Sequence, residues 1–127
     1  MPSSQLPPDF PDISEPLARL ISTARWVENG KLGHLDNNVQ LAKAVGAALG
    51  RPVSPSYIQG LRQKPGTDPR WSMLVAICRV FSQRTGVAVT PEYFLDDSDR
   101  AAEVDQLLLL ARMRATQELA STPTPHR

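Results

Sequence analysis

The stretch Ser54-Pro55-Ser56-Tyr57-Ile58-Gln59-Gly60-Leu61-Arg62-Gln63-Lys64 carries the side chains best suited to chemistry at a surface. If Ile58 and Leu61 face a core, helical spacing puts Ser56, Gln59, Gly60 and Gln63 together on the opposite face. Gln59 both donates and accepts, so it can pair bidentately with the N6/N7 edge of adenine in a major groove. Ser56, near the helix start, reaches either a base edge or a phosphate, and Gly60 allows a close backbone approach. Arg62 and Lys64 sit toward the side and end of the helix and suit phosphates or a guanine edge. Tyr57 has two readings, packing beside Ile58 or bonding a phosphate through its hydroxyl. Asn37 and Asn38, with free amides at a helix start, form a phosphate clamp. Ser54, Thr67 and Arg70 extend the set of candidate phosphate contacts.

Other chemistry has little to work with. Cys78 lies mid-helix among apolar neighbours and reads as a small buried hydrophobe. One cysteine excludes an internal disulfide, and His34 and His126 lack metal-ligand spacing. Asp96-Asp97-Ser98-Asp99 lacks the glycine and terminal glutamate of a calcium loop, and reads as a linker and helix cap. No nucleophile–base set or phosphate-cradling loop stands out. The expectations are no enzyme activity, no cofactor, no metal and no small-molecule ligand. The longest apolar run is Leu107-Leu108-Leu109-Leu110-Ala111, far short of a bilayer span, and no signal peptide is visible. The expected place is the cytoplasm, at the nucleoid, with no membrane partner.

Charge is segregated. The 127 residues carry 14 Lys+Arg against 13 Asp+Glu, a net +1. From Asn37 to Gly86, seven basic residues face one acid (Asp68), a net of +6; from Val87 to Ala111, six acids face Arg100, a net of −5. A near-neutral sum thus conceals a basic middle that suits a polyanion.

The elements that must position these groups read as helices. A first helix starts near Pro16 and carries Leu17, Leu20, Ile21, Ala24 and Val27, with Asn29-Gly30 as its stop. A second starts at Asn37 or Asn38 and ends at Gly50; its small residues Ala42, Ala44, Ala47 and Ala48 permit close crossing. Ser54 caps a third, with Pro55 in its first turn. A fourth opens near Asp68-Pro69 and sets Trp71, Leu74, Val75, Ile77, Cys78 and Phe81 at core spacing, so Trp71 reads as core or rim packing rather than as a stacking platform. Pro91 begins a turn carrying Tyr93 and Phe94. A last helix runs from about Asp99 to Ala120. No alternating strand is visible. The expected class is all-α: a compact helix-turn-helix bundle of four to five helices plus a C-terminal dimerisation helix. The expected divisions are a flexible proline-rich arm (1–15), a helix-turn-helix domain (16–97), the final helix (98–120) and a disordered tail (121–127).

Gly50, the run Ser54 to Arg62, Asp68-Pro69 opening a helix that ends at Val80-Phe81, and Pro91-Glu92-Tyr93-Phe94 resemble the lambda-repressor-like (XRE-type) helix-turn-helix family. Within it the chain is most similar to EspR-type actinobacterial regulators. The resemblance covers about residues 17–115 and implies duplex DNA binding as a homodimer, in transcriptional regulation or nucleoid organisation. The alternative is an antitoxin-like or adaptor module that uses the same bundle to hold a protein. In the final helix, Val104, Leu107, Leu108 and Ala111 form a stripe with two readings, packing back on the domain or self-association. The second is preferred, because paired recognition helices gain affinity.

Overall fold

The computed structural model describes residues 13–63, 70–94 and 98–121. Five helices and one small hairpin follow in the order α1 (Ser14–Thr23), β1 (Trp26–Glu28), β2 (Lys31–Gly33), α2 (Asn38–Leu49), α3 (Pro55–Gln63), α4 (Trp71–Thr85), a 3₁₀ turn (Pro91–Phe94) and α5 (Ser98–Ser121). The core joins Leu17, Leu20 and Ile21 of α1 to Leu41 and Val45 of α2, Ile58 and Leu61 of α3, and Leu74, Ile77 and Phe81 of α4. α2 packs on α3 and α4, α1 packs on α3 and α5, and α5 also covers the hairpin and the 3₁₀ turn.

The hairpin corrects the all-α expectation. α1 stops at Thr23 rather than running through Val27, because Ala24 turns extended. The Arg25 guanidinium then donates to the carbonyls of Ile21 and Ala24, satisfying acceptors the helix end leaves free. Asn29 (φ 53°) and Gly30 (φ 75°) both take left-handed conformations, which the tightest two-residue hairpin turn requires. Asn29-Gly30 is therefore a hairpin turn between antiparallel strands that pair Val27 with Leu32, not a helix stop. Trp26 faces Gly33, where an added Cβ would meet the indole at 2.5 Å.

Boundaries shift for physical reasons too. Ile13 is 1% exposed and α1 begins at Ser14, so residues 13–15 belong to the packed structure and not to an arm. Residues 1–12, Asp68-Pro69 and residues 122–127 lie outside the described residues, as do Asp96 and Asp97. The connection after α4 is tied down. Gly86 closes the helix at φ 75°, and the Ser82 hydroxyl both donates to the Val89 carbonyl and accepts from its N–H.

α5 is docked by packing and by a polar clamp. Ala101, Val104, Leu108 and Ala115 form its buried stripe, with Val104 at 2% and Leu108 at 0% exposure. This overturns the expected use of Val104 and Leu108 between chains. Each fully buried Val or Leu is worth roughly 1.5–3 kcal/mol, and undocking α5 would forfeit it. Ala111 is half-buried and Leu107 exposed. The clamp is Asp105, which accepts from Arg19 Nε at 2.7 Å and from the Tyr93 hydroxyl at 2.5 Å. Burial and this carboxylate raise the Tyr93 phenol above its usual value, so it stays a donor. Arg19 lies over the Tyr93 ring, which meets Phe94 edge to face. Asp105→Ala is expected to lower the unfolding free energy by about 1.5–3 kcal/mol. A urea titration reads this as a lower midpoint at unchanged slope; an unchanged midpoint contradicts it.

Candidate nucleic-acid interface

α3 is built as an inserted, one-sided element. α2 starts where the Asn37 carboxamide oxygen accepts from the N–H groups of Val39 and Gln40, at 2.8 and 3.1 Å. It stops at Gly50, whose φ of 79° lets the chain reverse. The turn then runs so close to α2 that a Cβ on Gly46 would meet the Arg51 carbonyl at 2.9 Å. Ser54 caps α3 by accepting from the Tyr57 N–H at 3.1 Å, with Pro55 as first helical residue. Ile58 and Leu61 are fully buried, so the face opposite them is set by geometry alone.

That face brings together the expected base-reading set. Ser56, Gln59 and Gln63 are exposed and Gly60 is partly so. The Gln59 amide donates to Gln63 at 3.2 Å, one turn on, which aligns the two carboxamides along the surface. Among the described residues nothing requires a glycine at position 60, which lacks a left-handed φ and where a Cβ would meet nothing within 4 Å. A mid-helix glycine costs roughly 0.5–1 kcal/mol relative to alanine.

The flanks divide. Arg62 Nη1 donates to the Asp36 carbonyl at 2.9 Å and to Asn38 Oδ1 at 2.7 Å, tying the end of α3 to the start of α2. Arg62 and the two asparagines therefore position the site, and the Asn37 and Asn38 amide nitrogens remain as donors at its edge. On the other flank Tyr57 is half-buried. Burial raises its phenol above the usual value, an effect offset in part by a hydrogen bond with the Arg70 backbone. Tyr57 shares the flank of α3 with the start of α4, where Arg70 is exposed. Lys64 and Thr67 lie outside the described residues.

Three features escape the sequence. Lys43 and Arg51 line a groove of about 490 Å³ with Val39, Pro52, Val53 and Pro55. A second groove of about 310 Å³ continues past Arg51 and Ser54 to Tyr57 and Arg70. Both cations count toward the basic middle, but their spacing gives no sign that the turn gathers them beside α3. Trp71 is 52% exposed, outside the core though not excluded from its rim, because it is the first helical residue of α4 and lies before the buried stripe from Met73 to Phe81.

The described part of the candidate surface carries cations and no acid. Among the described residues from Asn38 to Thr85 there is no Asp or Glu. Asp36, just before α2, faces His34 Nδ1 at 2.5 Å and Arg25 at 4.0 Å. No group of His, Cys, Asp and Glu that could hold a metal occurs among the described residues. Burial pushes the Cys78 thiol up to about 12, which keeps it protonated and unreactive. No described helix is long and apolar enough to cross a membrane.

The positioning role of Arg62 predicts that Arg62→Ala destabilises the fold by roughly 1 kcal/mol. Lysine should rescue it in part, since its single ammonium nitrogen can also donate to both acceptors. Thermal unfolding of the two variants checks this, and wild-type melting of Arg62→Ala contradicts it. Comparisons of the chain with protein-family models, with curated proteins and with solved structures returned no match.

Proposed function

We propose that the protein binds double-stranded DNA sequence-selectively, as a homodimeric transcriptional regulator or nucleoid-associated protein of the lambda-repressor-like helix-turn-helix type. In this reading it acts in the cytoplasm, at the nucleoid. α3 enters the major groove, Ser56, Gln59 and Gln63 meet base edges, and Arg70, Arg51 and the α2 start hold phosphates on either side.

One observation carries this reading: Gly60. It weakens an exposed helix, and neither its backbone conformation nor packing among the described residues calls for it. A surface that approaches α3 from outside, as closely as a groove wall does, gives the missing Cβ a purpose. The cations around α3, with no described acid on α2, α3 or α4, supply the attraction to a polyanion.

A second reading, a protein-binding adaptor, draws on the groove beside α2. There Val39 is 61% exposed above an apolar floor. Salt dependence separates the two, since phosphate neutralisation gives a steep linear loss of affinity with log salt.

The decisive substitution is Gly60→Ala. It is expected to raise the unfolding free energy by about 0.5–1 kcal/mol while weakening DNA binding. An alanine variant that is both more stable and equally tight on DNA contradicts the proposal. Gln59→Ala is expected to reduce discrimination at one base pair by about 1–3 kcal/mol, and Arg70→Ala to weaken all sequences alike and lower the salt slope by about 1. Fluorescence anisotropy on duplexes recovered by in vitro selection measures all three.

A further inference from the structure

The groove beside α2 and the one that reaches Tyr57 form a single trough. Val39, Ala42, Lys43 and Gly46 line the first, Tyr57, Arg70 and Met73 line the second, and Arg51, Pro52 and Val53 belong to both. Pro52 and Pro55 carry no N–H, so the walls they form offer no backbone donor. Polarity comes from cations instead. Lys43, Arg51 and Arg70 are exposed along the trough, and no acid lines either half. The side chains of Lys43 and Arg51 have no hydrogen-bond or ion-pair partner among the described residues. Val39 is 61% exposed in the first turn of α2, a place where the helix itself has no use for a β-branched apolar residue. Phosphates would engage these cations and leave Val39 and the prolines uncovered, since a DNA backbone presents charge and no large apolar group. A peptide segment with one or two large apolar side chains between carboxylates satisfies both features at once.

We infer that the trough takes such an acidic, apolar segment of a partner protein, and that this segment and DNA exclude each other. The exclusion rests on the function proposed above, where Arg51 and Arg70 hold phosphates; the docking itself does not. The adaptor reading makes protein binding a substitute for DNA binding, while here it is the control on DNA binding. An occupied trough has Arg51 and Arg70 neutralised and sets carboxylates beside α3, where they repel the phosphates of an approaching duplex. The partner thereby releases the protein from DNA, and by the reciprocity of linkage bound DNA weakens the partner to the same degree.

The test uses the full chain. Random peptides displayed on phage are selected on the chain, and the enriched ones are synthesised with a fluorescent label for anisotropy. Enriched peptides should combine Leu, Ile, Phe or Trp with flanking Asp or Glu. Val39→Ser should weaken them about tenfold while helical circular dichroism and duplex affinity stay unchanged, and Arg51→Glu should weaken peptide and duplex alike. Added peptide should raise the apparent dissociation constant for the selected duplex linearly with its concentration. Three results overturn the inference: no enrichment of acidic, apolar peptides, equal peptide affinity in Val39→Ser, or peptide and duplex bound together without mutual effect. Self-association of the chain that Val39→Ser abolishes overturns it too, because a second copy would then be the occupant. A chain that takes the peptide at the trough and no duplex at any salt supports the docking and sinks the DNA reading instead.

Discussion

A nine-residue helix does not hold itself together in water, because nucleation costs more than so few hydrogen bonds return. α3 must therefore be held from outside, and much of the molecule does this. Ile58 and Leu61 are clasped by the core, Ser54 closes its first turn, and Arg62 ties its end to the start of α2. Because all of this holding acts on one side and at the ends, Ser56, Gln59, Gly60 and Gln63 are left facing out on a rigid frame. A group that reads base edges must be held this way, since contacts made by a loose helix would cost ordering entropy on binding.

The hairpin and α5 serve the same frame at one remove. β1 and β2 pack against α5, and Trp26 lies between Gly33 and the Arg84 guanidinium of α4, which also meets Glu28 at 3.4 Å. Asp105 joins α1, the 3₁₀ turn and α5 through two hydrogen bonds, so the final helix is part of the domain and not an appendage to it. The described acids Glu92, Asp99, Glu103 and Asp105 thereby sit on the 3₁₀ turn and α5, which pack on α1 and on each other rather than on α3. The near-zero net charge of the chain becomes a separation of two charged regions held by one core.

What is legible in the sequence follows from how local each signal is. Asn37, Gly50, Ser54 and the Ile58–Leu61 spacing announce α2, the turn after it and α3, because caps and one-sided burial are written within a few residues. Asn29-Gly30 is ambiguous: the same pair ends helices and turns hairpins, and only the extended backbone at Ala24 decides between them. In α5 the run Leu107 to Leu110 is apolar on nearly every side, so periodicity does not say which stripe docks; the Asp105 clamp does. Arg62 reads as a phosphate contact from its type, while its partners Asp36 and Asn38 lie 26 and 24 residues earlier and become neighbours only when the fold closes. Gly60 suggests close approach in the sequence, but that nothing among the described residues needs it is visible only in three dimensions.

The central claim is that the exposed face of α3 is a DNA-reading surface. The most direct measurement is a titration of the isotope-labelled protein with a selected duplex, followed through its backbone amide resonances. The account predicts shifts concentrated at Ser54–Gln63, with weaker ones at Asn37, Asn38 and Arg70, all diminishing as salt is raised. Shifts confined to α5 or to the groove beside Val39, or no shifts at low salt, would contradict it.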